Sequence, residues 1–193
     1  MENRVNGLYN YPSVIEQAAT SFRRSKPNML FLKDFLEKDF YNKITDEIKK
    51  VNGIERYKLD KEKYSELEIP NSLDDFLKSE FFIGLLQETL GKKVNEMNYS
   101  LKKFGHGDFS LIHDDEVLGK RIDFFFTFIE GEWKQEWGGY NAYSKGDGEP
   151  LIFPAEGNSF CLIITEGEMF DFVKYVKHFA GKNVIYKLEG RIK

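Results

Sequence analysis

The chain has 193 residues, 41% hydrophobic side chains, a net charge of −4 and a single cysteine, Cys161. This length is enough to bury a substantial core in one domain. Lys and Arg are dispersed among acids, which argues against a nucleic-acid-binding surface, and no stretch reaches the ~20 apolar residues of a membrane span. One cysteine excludes an internal disulfide. We expect a cytoplasmic protein, although a secreted protein without disulfides would have the same composition.

The first half of the chain has mainly helical periodicity. Residues 13–23 predict a short helix, and residues 30–32 predict a strand that leads into a second helix. That helix repeats apolar residues at helical spacing in "FLKDFLEKDFYNKITDEIKKV" and ends at "NG". Residues 54–70 are charged and poorly periodic, so we predict a surface loop. Asn-Ser at 71–72 begins a further helix that ends before Gly91.

The second half has short runs rich in Phe, Tyr, Ile and Val, separated by Gly, Asn, Asp and Pro. Such runs predict strands in a sandwich or jelly roll. The expected fold is mainly β with N-terminal α-helices (α+β): a helical segment over 1–93 packs on a β core over 94–193, in one structural domain. The predicted strands are 95–104, 109–113, 122–129, 140–144, 151–153, 159–164, 170–178 and 183–189.

Two potential metal ligands precede the most apolar strand. His113 and Asp115 are two positions apart, so on a strand they point to the same side. With a second histidine they would form the facial triad typical of non-haem Fe(II) sites. The chain has three histidines, and His178 is the obvious third ligand because it lies in a predicted strand, whereas His106 lies in a turn. A hydrogen-bonded structural histidine is the simpler alternative, and Asp114 replaces Asp115 if the register shifts by one.

The surrounding sequence carries a family resemblance. The relevant segments are "FGHGDFSLIHDD", Arg121, "IDFFFTFIEGEW", "WGGYNAY", "LIFPAEGNSFCLIIT" and "HFAGKNVIYKLEGRI". Over residues 95–191 the chain resembles the 2-oxoglutarate- and Fe(II)-dependent oxygenases, in their prolyl-4-hydroxylase-like branch. The resemblance implies a double-stranded β-helix (jelly roll) core flanked by helices. It also implies that His113, Asp115 and His178 are the iron ligands and catalytic residues.

The same resemblance implies a binding site for the cosubstrate 2-oxoglutarate. The family uses a basic residue shortly after the distal histidine, and Lys187 lies nine positions after His178. Without the preceding motif, Lys187 would be interpreted as a surface lysine. Arg191 is a second candidate for this anchor. Hydroxyl groups for the cosubstrate are expected from Tyr99, Thr127 or Tyr186.

By resemblance, we expect an enzyme that uses Fe(II), 2-oxoglutarate and O₂, with ascorbate as a reductant. It would hydroxylate a C–H bond of a peptide or protein side chain, prolyl or other, and release succinate and CO₂. A small-metabolite hydroxylase and a non-catalytic jelly roll that binds a metal or 2-oxoglutarate are the alternatives. Loops at 54–70 and 144–150 are predicted to form the substrate entrance. No nucleic-acid or membrane partner is expected.

Overall fold

The computed structural model describes residues 4–111, 119–145, 148–167 and 169–193. Within these ranges the chain forms four α-helices and eleven strands. The helices are α1 (Pro12–Arg24), α2 (Lys38–Ile48), α3 (Asn71–Leu77) and α4 (Glu80–Leu90). The strands are β1 (Met29–Leu32), β2 (Gly53–Lys58), β3 (Glu62–Leu67), β4 (Met97–Phe104), β5 (Phe109–Ser110), β6 (Arg121–Ile129), β7 (Asn141–Lys145), β8 (Leu151–Phe153), β9 (Ser159–Thr165), β10 (Met169–Val173) and β11 (Ile185–Ile192).

The strands form one antiparallel sheet that curves into a nearly closed barrel. Their order is β1-β9-β6-β11-β4-β3-β5-β10-β7-β8, and β2 pairs with β3. One wall therefore contains β9, β6, β11 and β4, the opposite wall contains β5, β10, β7 and β8, and β3 joins the two. The predicted mainly β fold is confirmed, with the strands in one nearly closed antiparallel barrel.

Strand β6 shows how the barrel is built, because both of its faces are buried along its whole length. Phe124, Phe126 and Phe128 belong to the core between the barrel and the helices. The alternate residues Phe125 and Thr127 point to the other side, into the barrel. An apolar run with no visible alternation is what a strand covered on both faces should show.

The helices cover one wall of the barrel. Glu37 caps α2, because its carboxylate accepts hydrogen bonds from the backbone N–H groups of Asp39 and Phe40. The single helix predicted after residue 71 is two helices, since Ser79 lies in extended conformation and caps α4. Within the described parts of the chain, no helix combines the length and the apolar composition that crossing a membrane requires.

The predicted loop at 54–70 is wrong, because this region is the hairpin of β2 and β3. The hairpin turns at Asp60, which has a positive φ of 61°. Only Tyr64 and Leu67 of β3 are buried, and β2 is exposed along its whole length. Charged side chains cover most of the hairpin and conceal its strand periodicity.

Two further boundaries differ from expectation. The predicted strand 170–178 ends at Val173, and residues 178–180 form a short 3-10 helix instead. The N-terminal segment 1–93 also supplies strands, since β1 pairs with β9 and β3 pairs with β4. The first segment is therefore part of the barrel as well as its helical cover, and the predicted division at 93/94 stays a prediction.

The junction between α2 and β6 gives a test of this packing. The Tyr41 hydroxyl accepts a hydrogen bond from the N–H of Ile129 at 2.9 Å and donates to its carbonyl at 3.0 Å. Tyr41→Phe leaves both backbone groups without this partner, so we expect a loss of about 1–3 kcal/mol in the free energy of unfolding. Equilibrium denaturant unfolding measures it. Tyr57→Phe on the exposed strand β2 is the control, and equal midpoints for the two variants would contradict the assignment.

Candidate functional site

The barrel encloses a polar cavity of about 200 Å³. Nine polar side chains line it: Asn98, Ser100, Lys102, Asp123, Asn141, Tyr143, Asp171, Glu189 and Arg191. The cavity lies toward the amino ends of β4, β6 and β10 and the carboxyl end of β11. The residues 112–118, which are outside the described ranges, connect β5 to the amino end of β6.

Lys187 is fully buried inside the barrel, on the inner face of β11. Its ammonium donates a hydrogen bond to the side-chain oxygen of Asn141 and lies 5.7 Å from the centre of the Phe125 ring. Burial lowers the pKa of Lys187 from 10.5 to about 8, although the nearby carboxylate of Glu189 opposes this effect. At neutral pH the interior of the barrel therefore contains a cation.

Glu189 lies two positions after Lys187 on the same face of β11, and it forms an ion pair with a second cation, Lys102. Its carboxylate is 2.7 Å from the Lys102 ammonium and accepts a hydrogen bond of 3.0 Å from the Asn141 amide. Burial raises the pKa of Glu189, but the attraction of Lys102 and these hydrogen bonds outweigh it, so the pKa is lowered overall. Asn141 therefore links the two residues, since it accepts a hydrogen bond from Lys187 and donates one to Glu189.

A second group of charges lies toward the mouth of the cavity. The Arg191 guanidinium donates to the carboxylate of Asp123 at 3.0 Å, and Arg121 donates to Asp171 at 3.0 Å. Arg121 is also 3.6 Å from Asp123, so it contacts both carboxylates. These pairs join β11, β6 and β10 across the opening.

Thr127 provides a hydroxyl beside Lys187. The two residues are directly opposite in the pairing of β6 with β11, so their side chains leave the sheet on the same face. Thr127 is fully buried, and its hydroxyl has no hydrogen-bond partner among the described residues. A buried hydroxyl usually has one. An ammonium and an orphan hydroxyl on the same face of the sheet are the donors that one carboxylate of a bound molecule, such as 2-oxoglutarate, would require.

The structure places His178 away from this cavity. Its side chain is exposed and packs against the Phe179 ring at 3.9 Å and the His106 ring at 6.4 Å between centroids. His106 follows the carboxyl end of β4 at Phe104, whereas Asn98 at the cavity is six residues earlier on this strand, roughly 20 Å away. His178 thus lies at the end of the barrel opposite the cavity mouth.

His113 and Asp115 lie outside the described residues, so the predicted triad stays a prediction. Within the described part of the chain, no three His, Cys, Asp or Glu side chains are grouped so that they could bind a metal ion.

The other predicted cosubstrate residues are in different places. Arg191 faces the barrel interior, but it lies at the mouth and is paired with Asp123. Tyr99 is on the helix-facing side of β4, where its hydroxyl donates to Asp74 at 2.6 Å. Tyr186 is on the helix-facing side of β11. Neither tyrosine lines the cavity, because in each case the residues on either side of it along the strand point inward.

Sequence reasoning did not single out Lys102, Asn141 or Glu189, although a signal was present. Lys187, Glu189 and Arg191 alternate with Leu188 and Gly190, although the predicted strand at 183–189 stops before Arg191. Three charged residues at a spacing of two indicate one charged strand face. In a strand of a barrel, such a face points either to solvent or into a polar interior, and the sequence alone does not show which.

The family model described as "Oxoglutarate and iron-dependent oxygenase degradation C-term" matches residues 51–193. The chain belongs to this family. The expected membership of the 2-oxoglutarate- and Fe(II)-dependent oxygenase superfamily, an enzyme class, is confirmed.

Individual relatives agree with this assignment. Prolyl 3-hydroxylase OGFOD1 of Mus musculus is 36% identical over 81 residues, which is 40% of this chain and 15% of that protein, so the chain spans a small part of its relative. A prolyl-4-hydroxylase from Pseudomonas putida has a TM-score of 0.70 at 11% identity, covering 93% of this chain and 98% of that one. A prolyl hydroxylase from Trichoplax adhaerens, solved with a hypoxia inducible factor peptide fragment, has a TM-score of 0.65 at 7% identity, covering 93% and 89%. At these identities, the two structures show a shared fold.

The lowered pKa of Lys187 predicts a pH-dependent contribution to stability. Because the folded pKa of about 8 is below the ordinary 10.5, the unfolded chain binds more protons between these values, and stability rises with pH there. Between pH 7 and 10.5, the free energy of unfolding of the wild type should rise by up to about 3 kcal/mol relative to that of Lys187→Met. Denaturant unfolding of both proteins across this range measures the difference. A difference independent of pH would show that Lys187 titrates normally.

Proposed function

We propose that this chain is a 2-oxoglutarate- and Fe(II)-dependent hydroxylase that acts on a side chain of a peptide or protein, with prolyl favoured. The observation that carries the proposal is the buried Lys187 ammonium beside the orphan Thr127 hydroxyl, inside a barrel of the oxygenase fold. Family membership supports the cofactors. The relatives described as prolyl hydroxylases, one of them with a peptide, support the substrate class.

In this proposal, Lys187 binds the far carboxylate of 2-oxoglutarate as a compact ammonium, and Thr127 donates a hydrogen bond to the same group. Phe125 lies beside the ammonium and covers one side of this site. The cation is required because a carboxylate without a charge partner is costly to bury. His113 and Asp115 are the proposed iron ligands, with His178 as the predicted third.

Bound Fe(II) and 2-oxoglutarate would supply oxygen activation, in which the cosubstrate is converted to succinate and CO₂ and a substrate C–H bond is hydroxylated. The contribution of the chain is to orient the cosubstrate and to exclude water from the site. The aromatic side chains Phe125, Tyr143 and Phe153 serve the second purpose, since they form one buried cluster and the first two line the cavity.

A second candidate function is favoured by the position of His178. Because this residue is exposed at the end of the barrel away from the cavity, it does not contribute to a metal site at the cavity in this arrangement. A barrel that binds a carboxylate ligand through Lys187, without catalysis, needs no contribution from His178.

Succinate formation distinguishes the two functions. Protein purified without oxygen receives Fe(II), 2-oxoglutarate and ascorbate, and then air. A hydroxylase should form succinate slowly even without its substrate, and His113→Ala and His178→Ala should abolish this. His106→Ala is the matched control, because His106 is the exposed histidine next to His178 and is not a predicted ligand. Failure of the wild type to form succinate, together with calorimetric binding of 2-oxoglutarate, would favour the binding protein.

The role of Lys187 predicts the pH dependence of cosubstrate binding. As the pH rises through the Lys187 pKa of about 8, the ammonium loses its proton and its attraction for a carboxylate. We expect the affinity for 2-oxoglutarate to fall about tenfold between pH 7 and 9. Calorimetric titrations at several pH values measure this. Lys187→Met should bind weakly at every pH, and a wild-type affinity that is constant over this range would exclude Lys187 as the anchor.

A further inference from the structure

We propose that Glu189 is an internal counter-ion that competes with the carboxylate of 2-oxoglutarate for the cations of the barrel, so that cosubstrate binding requires its displacement. This inference rests on the proposed function, since it takes the cavity as the cosubstrate site. It assigns Glu189 a part in regulating how readily that site is filled.

The contacts of Glu189 are those that a bound carboxylate would make. One oxygen is 2.7 Å from the Lys102 ammonium, and the other accepts a hydrogen bond of 3.0 Å from the Asn141 amide. The same Asn141 side chain accepts a hydrogen bond from Lys187. An asparagine that donates to Glu189 is thereby oriented to present its oxygen to Lys187. The anchor that 2-oxoglutarate needs is thus already bonded to a group held by Glu189.

The charge balance around Asn141 also indicates that Glu189 competes with a ligand carboxylate. The inner group of charges contains two ammonium groups, on Lys102 and Lys187, and one carboxylate, on Glu189. A dicarboxylate that enters the cavity meets Lys102 at the wall, with Lys187 buried behind Asn141, but it also meets Glu189. Like charges in a poorly solvated site repel strongly. Removal of the Glu189 charge leaves both cations for the ligand.

The side chain of Glu189 has room to move. It is 22% exposed, and it lines the open cavity, whereas Lys187 is fully buried. The carboxylate can therefore turn toward the solvent at the mouth while the Lys187 ammonium stays in place. A ligand carboxylate would then take over the contacts with Lys102 and Asn141.

Glu189→Gln tests this inference, because it removes the charge and keeps the size and a hydrogen-bond acceptor for Asn141. 2-Oxoglutarate is titrated calorimetrically into the full chain in buffer with Mn(II), which replaces Fe(II) without turnover. The variant should bind at least tenfold more tightly than the wild type. Glu130→Gln is the matched control, since Glu130 forms an exterior ion pair with Lys49 and should leave the affinity unchanged.

A second variant is needed in case Glu189→Gln alone fails to fold. Glu189→Gln leaves Lys102 and Lys187 without their carboxylate, so its melting temperature without ligand should be lower than that of the wild type. Lys102→Met combined with Glu189→Gln removes one charge of each sign and leaves Lys187 as the cation of the group. Addition of 2-oxoglutarate should raise the melting temperature of both variants more than that of the wild type.

The outcomes separate this inference from the proposed function. If the wild type binds 2-oxoglutarate and Glu189→Gln binds it equally or more weakly, the counter-ion role is excluded and the proposed function stands. Tighter binding by the variant supports the inference, also where wild-type binding is too weak to measure. If neither the wild type nor the folded variants bind at millimolar concentrations, the cavity is not a cosubstrate site and both proposals fail.

Discussion

A charged ammonium enclosed by a β-barrel is the constraint to which the inner face of this sheet is fitted. Lys187 has no contact with solvent, so its charge must be compensated from within the barrel. Asn141 accepts its hydrogen bond, and Glu189 supplies the negative charge with Lys102 as a further partner. Removing one partner from such a group costs several kcal/mol, whereas the complete group is tolerated. The polar groups of the interior therefore depend on one another, and removing any one of them destabilises the rest.

The outer face of the same strands meets the opposite requirement. Phe124, Phe126 and Phe128 pack against the helices, and their neighbours along β6 point to the charged interior. One strand thus separates an aromatic core from a polar cavity. Gly190 on β11 shows how close the packing on the outer face is, since a Cβ at this position would lie 2.3 Å from the Phe124 ring. The outer face provides the apolar packing, and the inner face provides the groups for any ligand chemistry.

The sequence was sufficient to predict the strands that are rich in apolar residues, but not the strands whose conformation depends on tertiary contacts. The run at 122–129 was predicted within one residue of β6, because an apolar segment of that length has few alternatives. The hairpin at 53–67 was missed because its strands are charged, and pairing with β4 and β5 determines its conformation. Lys187 was found by family spacing. Glu189 and Asn141 required knowledge of which strands face each other across the barrel.

The positions of His178 and Lys187 show why spacing along the chain does not determine which end of a barrel a residue occupies. β10 runs away from the cavity mouth, and the 3-10 helix at His178–Ala180 lies beyond its end. The chain then reverses, and β11 runs back toward the mouth at Arg191. Lys187 is near the start of β11, about 13 Å of strand from Arg191, and it reaches the interior because its side chain points inward. A ligand held by Lys187 and open to the mouth therefore occupies the barrel, whereas a ligand held by His178 at its exposed position lies outside it.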